Sequence, residues 1–541
     1  MERTPAFLLR ETNIWQLLAV TLVGAVAVRV GYTLYLSPLA AFPGPLLAKF
    51  SNLFRAYRTW KGRIDLDHYD WHQKYGSVVR IGPNTIMLGD PAMIKTVFTV
   101  KGVWQKSEMY KPNEAVFNGE RVINMFNTTD EDYHARTSRP VRPLYNATRV
   151  LELEPLVDAS IASLLRRLDA RFAAPGRVCD FADWAAWFGW DTMFHITYGE
   201  PLGFMETEGD LVDFIKGATE GQYYFSAVSQ APWLDRFLDK NPMVRIGPRP
   251  ITTAIGTTFM MLLAYKKRLA EREKMTTTET PAASGTSRVE TFVDKFLALQ
   301  HSHPDVVDDE QVFQYSLFNM LAGGDSTASI LRAAVYHLAK NPTVRATLQA
   351  ELDAAAAAAA HSEAETDGYG VPAYRDVAAL PYLGAVMHEL MRVTPGVSQT
   401  LERVVPPAGL VLPDGRCVPG GTRVGISPAV TCKDAGVFGP EDPLAFRPER
   451  WLRRAGEADE AFAARRRRMA ATLDFVFGAG KRICMGKNLA TMELYKTVAA
   501  LYAAFDIQLE HPEHEWKYRA AWFVFQTDLP VLIRRRRHPN V

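Results

Sequence analysis

Phe477-Gly478-Ala479-Gly480-Lys481-Arg482-Ile483-Cys484-Met485-Gly486 is the stretch on which the reading of this chain turns. One cysteine sits in a glycine-punctuated loop, two residues after an arginine. A helical pattern marked by Leu494, Val498, Leu501 and Phe505 follows at once. Glycine lets backbone approach a flat ligand with no Cβ in the way. Arg482 can pair with a carboxylate. A cysteine just before a helix meets free amides and the positive end of the helix dipole, and both stabilise a thiolate. The ordinary alternative is a buried structural cysteine in a Gly-rich loop.

The loop suits an iron porphyrin held by a single sulfur. It resembles the cysteine-ligand loop of the cytochrome P-450 superfamily, Phe-x-x-Gly-x-Arg-x-Cys-x-Gly, at Phe477, Gly480, Arg482, Cys484 and Gly486. The resemblance implies a mainly α fold with small β-sheets: the cytochrome P-450 fold, as a single catalytic domain behind an N-terminal transmembrane helix. It implies haem b (iron protoporphyrin IX) as cofactor, with Cys484 as the axial ligand of the haem iron. Arg482 would then neutralise a propionate.

Working outward, Val312 to Ala339 reads as one long helix holding Ala322-Gly323-Gly324-Asp325-Ser326-Thr327. Two glycines inside a helix cost roughly 1 kcal/mol each against alanine. A kink, a flat ligand or close helix packing would compensate. The hexamer resembles the family's oxygen-activation motif, which implies proton delivery by Asp325, Ser326 and Thr327. Ser326 stands where the family most often has threonine, so its hydroxyl lacks the methyl that restricts χ1.

Glu389 and Arg392 share a helix face. Alone they read as an ordinary surface pair. With Arg450 in Pro448-Glu449-Arg450-Trp451 they resemble a buried charged cluster of the family that supports the cysteine loop. Tyr133 to Arg139 corresponds loosely to the family helix that grips the propionates. His134 falls on a usual position, Ser138 takes the place of the usual arginine, and Arg139 comes one residue late. An amphipathic helix surface is the plain reading of the same residues.

The 48% hydrophobic and 23% charged fractions are those of a globular protein. With 62 basic against 60 acidic side chains, the net charge of +2 argues for no nucleic acid partner. Cys179, Cys417, Cys432 and Cys484 form no CxxC pair, which disfavours a disulfide scaffold or a zinc site. Between Ile14 and Leu36 the only charge is Arg29, and that length crosses a bilayer. Lys49, Arg55, Arg58, Lys61 and Arg63 follow, placing the C-terminal side in the cytosol. A cleaved signal peptide is the competing reading, weakened by the missing basic n-region.

The expected layout is a lumenal N-terminus (1–13), a transmembrane anchor (14–36), a proline-rich hinge (37–48) and a haem-thiolate monooxygenase domain (49–541). A hairpin is expected at 78–81 and 85–88, and short strands at 403–405, 410–412 and 422–426. A last strand pair, 523–525 with 531–533, closes the chain. Met275 to Ser287 reads as a linker, and Ala354 to Ala360 as a helix-favouring alanine run. Gln222 to Phe225 and Trp522 to Phe525 read as core ahead of pocket lining.

Phe42-Pro43-Gly44-Pro45 and Gly76 to Asn84 look most like filamentous-fungal microsomal members of the pisatin demethylase-like kind. The resemblance implies insertion of one oxygen atom from O₂ into a hydrophobic small molecule, expected to be a secondary metabolite. Electrons would come from NADPH through NADPH-cytochrome P-450 reductase at the endoplasmic reticulum membrane. The basic runs Arg465–Arg468 and Arg534–Arg537 read as solvated surface, and the first resembles a reductase-docking side. Two rivals remain: a haem-thiolate isomerase or dehydratase that needs no reductase, and a non-catalytic membrane protein.

Overall fold

The computed structural model describes residues 6–100, 102, 104–117, 119–248, 251–276, 288–359 and 370–536. Outside them lie Met1–Pro5 of the expected lumenal segment, the expected linker from residue 277 on, Ala360 and Arg537.

The long helix runs Asp309–Lys340, capped by the Asp308 carboxylate accepting from the Gln311 amide. It crosses the helix Phe181–Tyr198 so closely that the glycine pair is explained by packing. A Cβ on Gly323 would stand 2.1 Å from the Met193 sulfur, one on Gly324 2.4 Å from the Trp190 ring, and one on Gly189 2.6 Å from the Gly324 carbonyl oxygen. Of the readings left open above, helix packing is the observed one. Trp190, Phe194, Leu331, Leu494 and Val498 lie in the same buried apolar cluster. It spans this crossing and the helix Lys487–Ala504, which follows the cysteine loop.

The expected hairpin is observed as Val78–Gly82 against Thr85–Leu88. It joins a five-stranded sheet continued by Arg423–Ile426, Leu401–Val404 and Gln105–Lys106. The C-terminal strands correct the sequence reading: 523–525 and 531–533 do not pair with each other. Val524–Thr527 pairs with Lys517–Ala520, whereas Pro530–Arg535 lies between Phe505–Leu509 and Val178–Asp180. Alternation marks strands but carries no partner information. Phe505, expected on the helix, opens a strand.

The N-terminal helix Ala6–Gly31 passes into a wider turn at Tyr32–Leu36. Ile14–Leu36 is long and apolar enough to cross a membrane, and few of its residues are buried. The segment expected to be a hinge is instead clamped to the hairpin. Buried Arg80 donates to the carbonyls of Thr33 (3.2 Å), Leu39 (3.2 Å) and Pro83 (2.9 Å), and its own amide donates to Pro43 (2.7 Å). A Cβ on Gly44 would stand 2.1 Å from the Arg80 carbonyl oxygen, so that residue has to be glycine.

Glu389 and Arg392, on the helix Pro381–Val393, form a two-bond ion pair (2.8 Å each) with both side chains at 0% exposure. Arg450 joins at 3.4 Å, and Trp451 Nε1 (2.9 Å) and the Arg447 amide (2.9 Å) complete the carboxylate's partners. Arg392 spends its remaining donors on the carbonyls of Cys432, Pro443 and Ala445. Removing the acid leaves two buried guanidiniums without an anion between them. Glu389→Ala is therefore expected to cost about 3–5 kcal/mol, measured by urea denaturation against wild type.

Candidate functional site

The cysteine loop is closed by its own backbone. The Cys484 amide donates to the Phe477 carbonyl (2.7 Å), and the Gly478 amide to Phe475 (2.8 Å). Gly478 and Gly480 take φ of +73° and +65°, the left-handed region that favours glycine. A Cβ on Gly480 would also meet the Phe98 and Thr99 carbonyl oxygens at 2.6 and 2.7 Å, so this glycine admits a neighbouring segment of chain. Gly486 stands at the N-cap of Lys487–Ala504 with negative φ. Phe477 is half-buried.

Burial raises the Cys484 thiol pKa, while the Gly486 and Lys487 amides and the Lys487 charge act the other way. Its side chain is nevertheless accessible. The sulfur is thus crowded by protein atoms and still open to a ligand. The long helix is tied to this end through Tyr145. The Tyr145 hydroxyl donates to Asn319 Oδ1 (3.0 Å), its carbonyl accepts from Asn488 (2.9 Å), and burial and then Cys484 raise its phenol pKa. Phe318, Ala322 and Ser326, four residues apart, form a stripe that stays partly accessible in the buried midsection of that helix.

The three polar residues of the hexamer point different ways. Asp325 is buried and accepts from Trp190 Nε1 (3.2 Å). Burial pushes its pKa up to about 6, against the opposing Arg332 charge. Ser326 donates to the Ala322 carbonyl (2.7 Å). Thr327 turns to the helix after the cysteine and donates to Glu493 Oε2 (3.2 Å).

Arg482 pairs with Glu131 (2.9 Å) and donates to the Met125 carbonyl (2.9 Å). His134, on the helix Glu131–Val141, is buried nearby. Its pKa falls to about 3, through burial first and then Arg482, Lys106, Arg142 and Arg403. Arg139 lies on the exposed face of the same helix, away from this group, because five helical residues turn the chain well past His134. Arg142 comes closer and donates to the Lys481 carbonyl in the cysteine loop (3.2 Å).

Two members of the group were missed in the sequence. Lys106 and Arg403 are direct partners across antiparallel strands, and both are buried. Like charges so placed repel, and burial followed by the Arg482 and Arg403 charges brings the Lys106 pKa well below its usual value. Such a cluster is preorganised for an anion. A cleft lined by Phe98, Trp104, Glu131, Arg403, Lys481 and Arg482 adjoins it. The signal was the strand pairing, which no local motif encodes.

On the other side of Lys106 lies an apolar group. Its ammonium stands 3.5 Å from the Tyr110 ring centroid and 4.4 Å from that of Phe126. Tyr110, Phe126, Phe225 and Trp522 pack edge-on or tilted, with Val397, Leu401 and Phe523 partly buried against them.

The sequence profile of the family described as Cytochrome P450 matches residues 42–532. The chain belongs to the cytochrome P450 family. It is similar to cytochrome P450 monooxygenase cfoH of Aspergillus candidus, 36% identical over 506 residues, 93% of this chain and 89% of that one. It is also similar to cytochrome P450 monooxygenase cicH of Emericella nidulans, 33% identical over 500 residues, 92% of this chain and 94% of that one.

A P450 carries haem, and the donor set here fits it: one accessible sulfur at a helix start, and a crowd of buried cations suited to propionates. If Lys106 and Arg403 take that role, Lys106→Met and Arg403→Met speed haem loss about tenfold each, the scale of one charge-assisted hydrogen bond. Arg139→Ala leaves the rate unchanged. Haem transfer to apomyoglobin measures all three.

Proposed function

We propose that this P450 is a haem-thiolate monooxygenase that inserts one atom of O₂ into a hydrophobic small molecule and releases the other as water. Two electrons come from NADPH through a reductase, and two protons from solvent. The observation that carries the reading is the accessible Cys484 sulfur at a helix start, with buried cations clustered about Arg482 of the same loop and the Ser326 helix tied to it through Tyr145. The bound haem, with the Cys484 thiolate as axial ligand, supplies dioxygen activation.

The chain's own residues divide the remaining work. Arg482, Lys106, Arg403 and His134 hold the carboxylate edge. The ring group of Tyr110, Phe126, Phe225 and Trp522, with Phe523 against it, offers an apolar side that orients substrate and excludes water. The Ser326 hydroxyl stands on the accessible stripe, where rotation lets it donate into the cleft. Asp325, one residue away on a neighbouring face and with a pKa of about 6, is the acid that changes protonation near neutral pH.

Ile14–Leu36 is a single-pass anchor in the endoplasmic reticulum membrane, with the catalytic domain (49–541) in the cytosol. The clamp at Arg80 holds that domain close to the bilayer. Arg466, Arg467 and Arg468 are exposed on the helix Asp459–Leu473, while Arg465 turns inward to Glu457 (2.6 Å). Those three cations are the docking charge for an acidic reductase. The resemblance to fungal microsomal members supports a secondary-metabolite substrate, and the similar proteins are monooxygenases of fungi.

Cys484→Ala is expected to abolish haem binding and the red-shifted band of the reduced, carbon-monoxide-treated protein. Ser326→Ala keeps that band but diverts NADPH into peroxide, measured as peroxide released per NADPH oxidised; full product coupling in this variant refutes the relay. Because a proton donor must be protonated, wild-type turnover falls as pH rises through about 6. Asp325→Asn removes that limb, which a pH–rate profile checks.

A further inference from the structure

Glu493 is a buried acid with no place in the chemistry above. It sits two turns into the helix that starts just after Cys484, and its side chain is 1% exposed. Leu489, Met492 and Leu494 beside it are buried apolar residues. Its one hydrogen bond is at Oε2, accepted from Thr327 Oγ1 at 3.2 Å, and Oε1 has no partner among the described residues. Burial pushes its pKa up to about 8, toward the neutral acid. For filling space alone, leucine would spare the cost of burying a polar group with half its capacity unmet.

The position of the bond gives it meaning. Thr327 is the residue after Ser326, so the two share one stretch of helix backbone. Cys484 and Glu493 belong to one continuous loop-and-helix unit. The Thr327–Glu493 contact therefore joins the element that presents the sulfur to the element that presents the hydroxyl. It does so one turn beyond Gly323 and Gly324, where the helix already lies close against Phe181–Tyr198.

We propose that Glu493 is a positioning residue: its hydrogen bond with Thr327 sets the height of the Ser326 segment above the Cys484 sulfur. The proposal rests on the haem-thiolate reading and adds to it a mechanical link between the two sides of the cofactor. A shift of the cysteine helix would be passed to the Ser326 segment through this contact.

The test uses haem-loaded protein titrated with imidazole, which binds the iron on the Ser326 side and senses how closely that helix stands. Thr327→Val and Glu493→Leu are each expected to change the imidazole Kd about fivefold in the same direction, the scale of one neutral hydrogen bond. The double variant goes no further, and Glu493→Gln stays near wild type. Thr497→Val is the control. The Thr497 hydroxyl donates to the Glu493 carbonyl (2.7 Å) in the same buried helix, so its loss removes a bond without touching Thr327.

An unchanged Kd in Thr327→Val with haem retained overturns the proposal. So does an additive double variant, or an equal shift in Thr497→Val, which would mean general loosening. Should Glu493→Leu fail to hold haem, Thr327→Val and Glu493→Gln decide alone. A wild-type protein without the carbon-monoxide band rejects the haem reading itself and this proposal with it, a result separate from every Kd outcome.

Discussion

The backbone hydrogen bond from the Cys484 amide to the Phe477 carbonyl closes the loop on which the rest of the site depends. It brings the sulfur back to the start of a helix, where the Gly486 and Lys487 amides point at it. Burial opposes the thiolate in this location, and the amides only partly offset that. A bound metal would favour the anion, since coordination removes the proton. The Gly480 contact with the Phe98 and Thr99 carbonyls fixes the far side of the loop against the sheet region. A loop so held cannot drift relative to the helix above it.

That helix is held from several directions. Gly323 and Gly324 let it approach Phe181–Tyr198, Asn319 takes the Tyr145 hydroxyl, and Thr327 reaches Glu493. Asn319, Gly323 and Thr327 are four residues apart and share one face, so together they fix how that face is turned. Phe318, Leu321, Ala322, Gly323 and Ser326 stay partly accessible. The Glu389–Arg392–Arg450 cluster acts further out, binding backbone carbonyls of the segment that leads toward the cysteine loop. Its full satisfaction is what makes complete burial of three charges tolerable.

Electrostatics divides the cleft. Buried cations gather at one edge, opposed chiefly by Glu131, and the facing pair of Lys106 and Arg403 stores repulsion that an anionic ligand relieves. Aromatic rings take over just beyond Lys106 and offer no charge. The charged edge suits carboxylates and the ring group suits apolar matter, a division set by desolvation energy.

Much of this was legible in the sequence because it is local. The cysteine loop, the long helix, the hairpin and the Glu-x-x-Arg turn depend on residues a few positions apart, where spacing alone places side chains on one face or in one turn. The chain order by itself therefore determined the fold class, the position of the sulfur and the apolar N-terminal span. Only the tertiary structure decided which strands pair at the C-terminus, that the expected hinge is clamped by Arg80, and that Arg139 turns outward. It alone brought Lys106 to Arg403 and Thr327 to Glu493. The physical reason is the same in each case: pairing register and helix crossing join residues far apart along the chain, and periodicity says which face a side chain takes but not what comes to meet it.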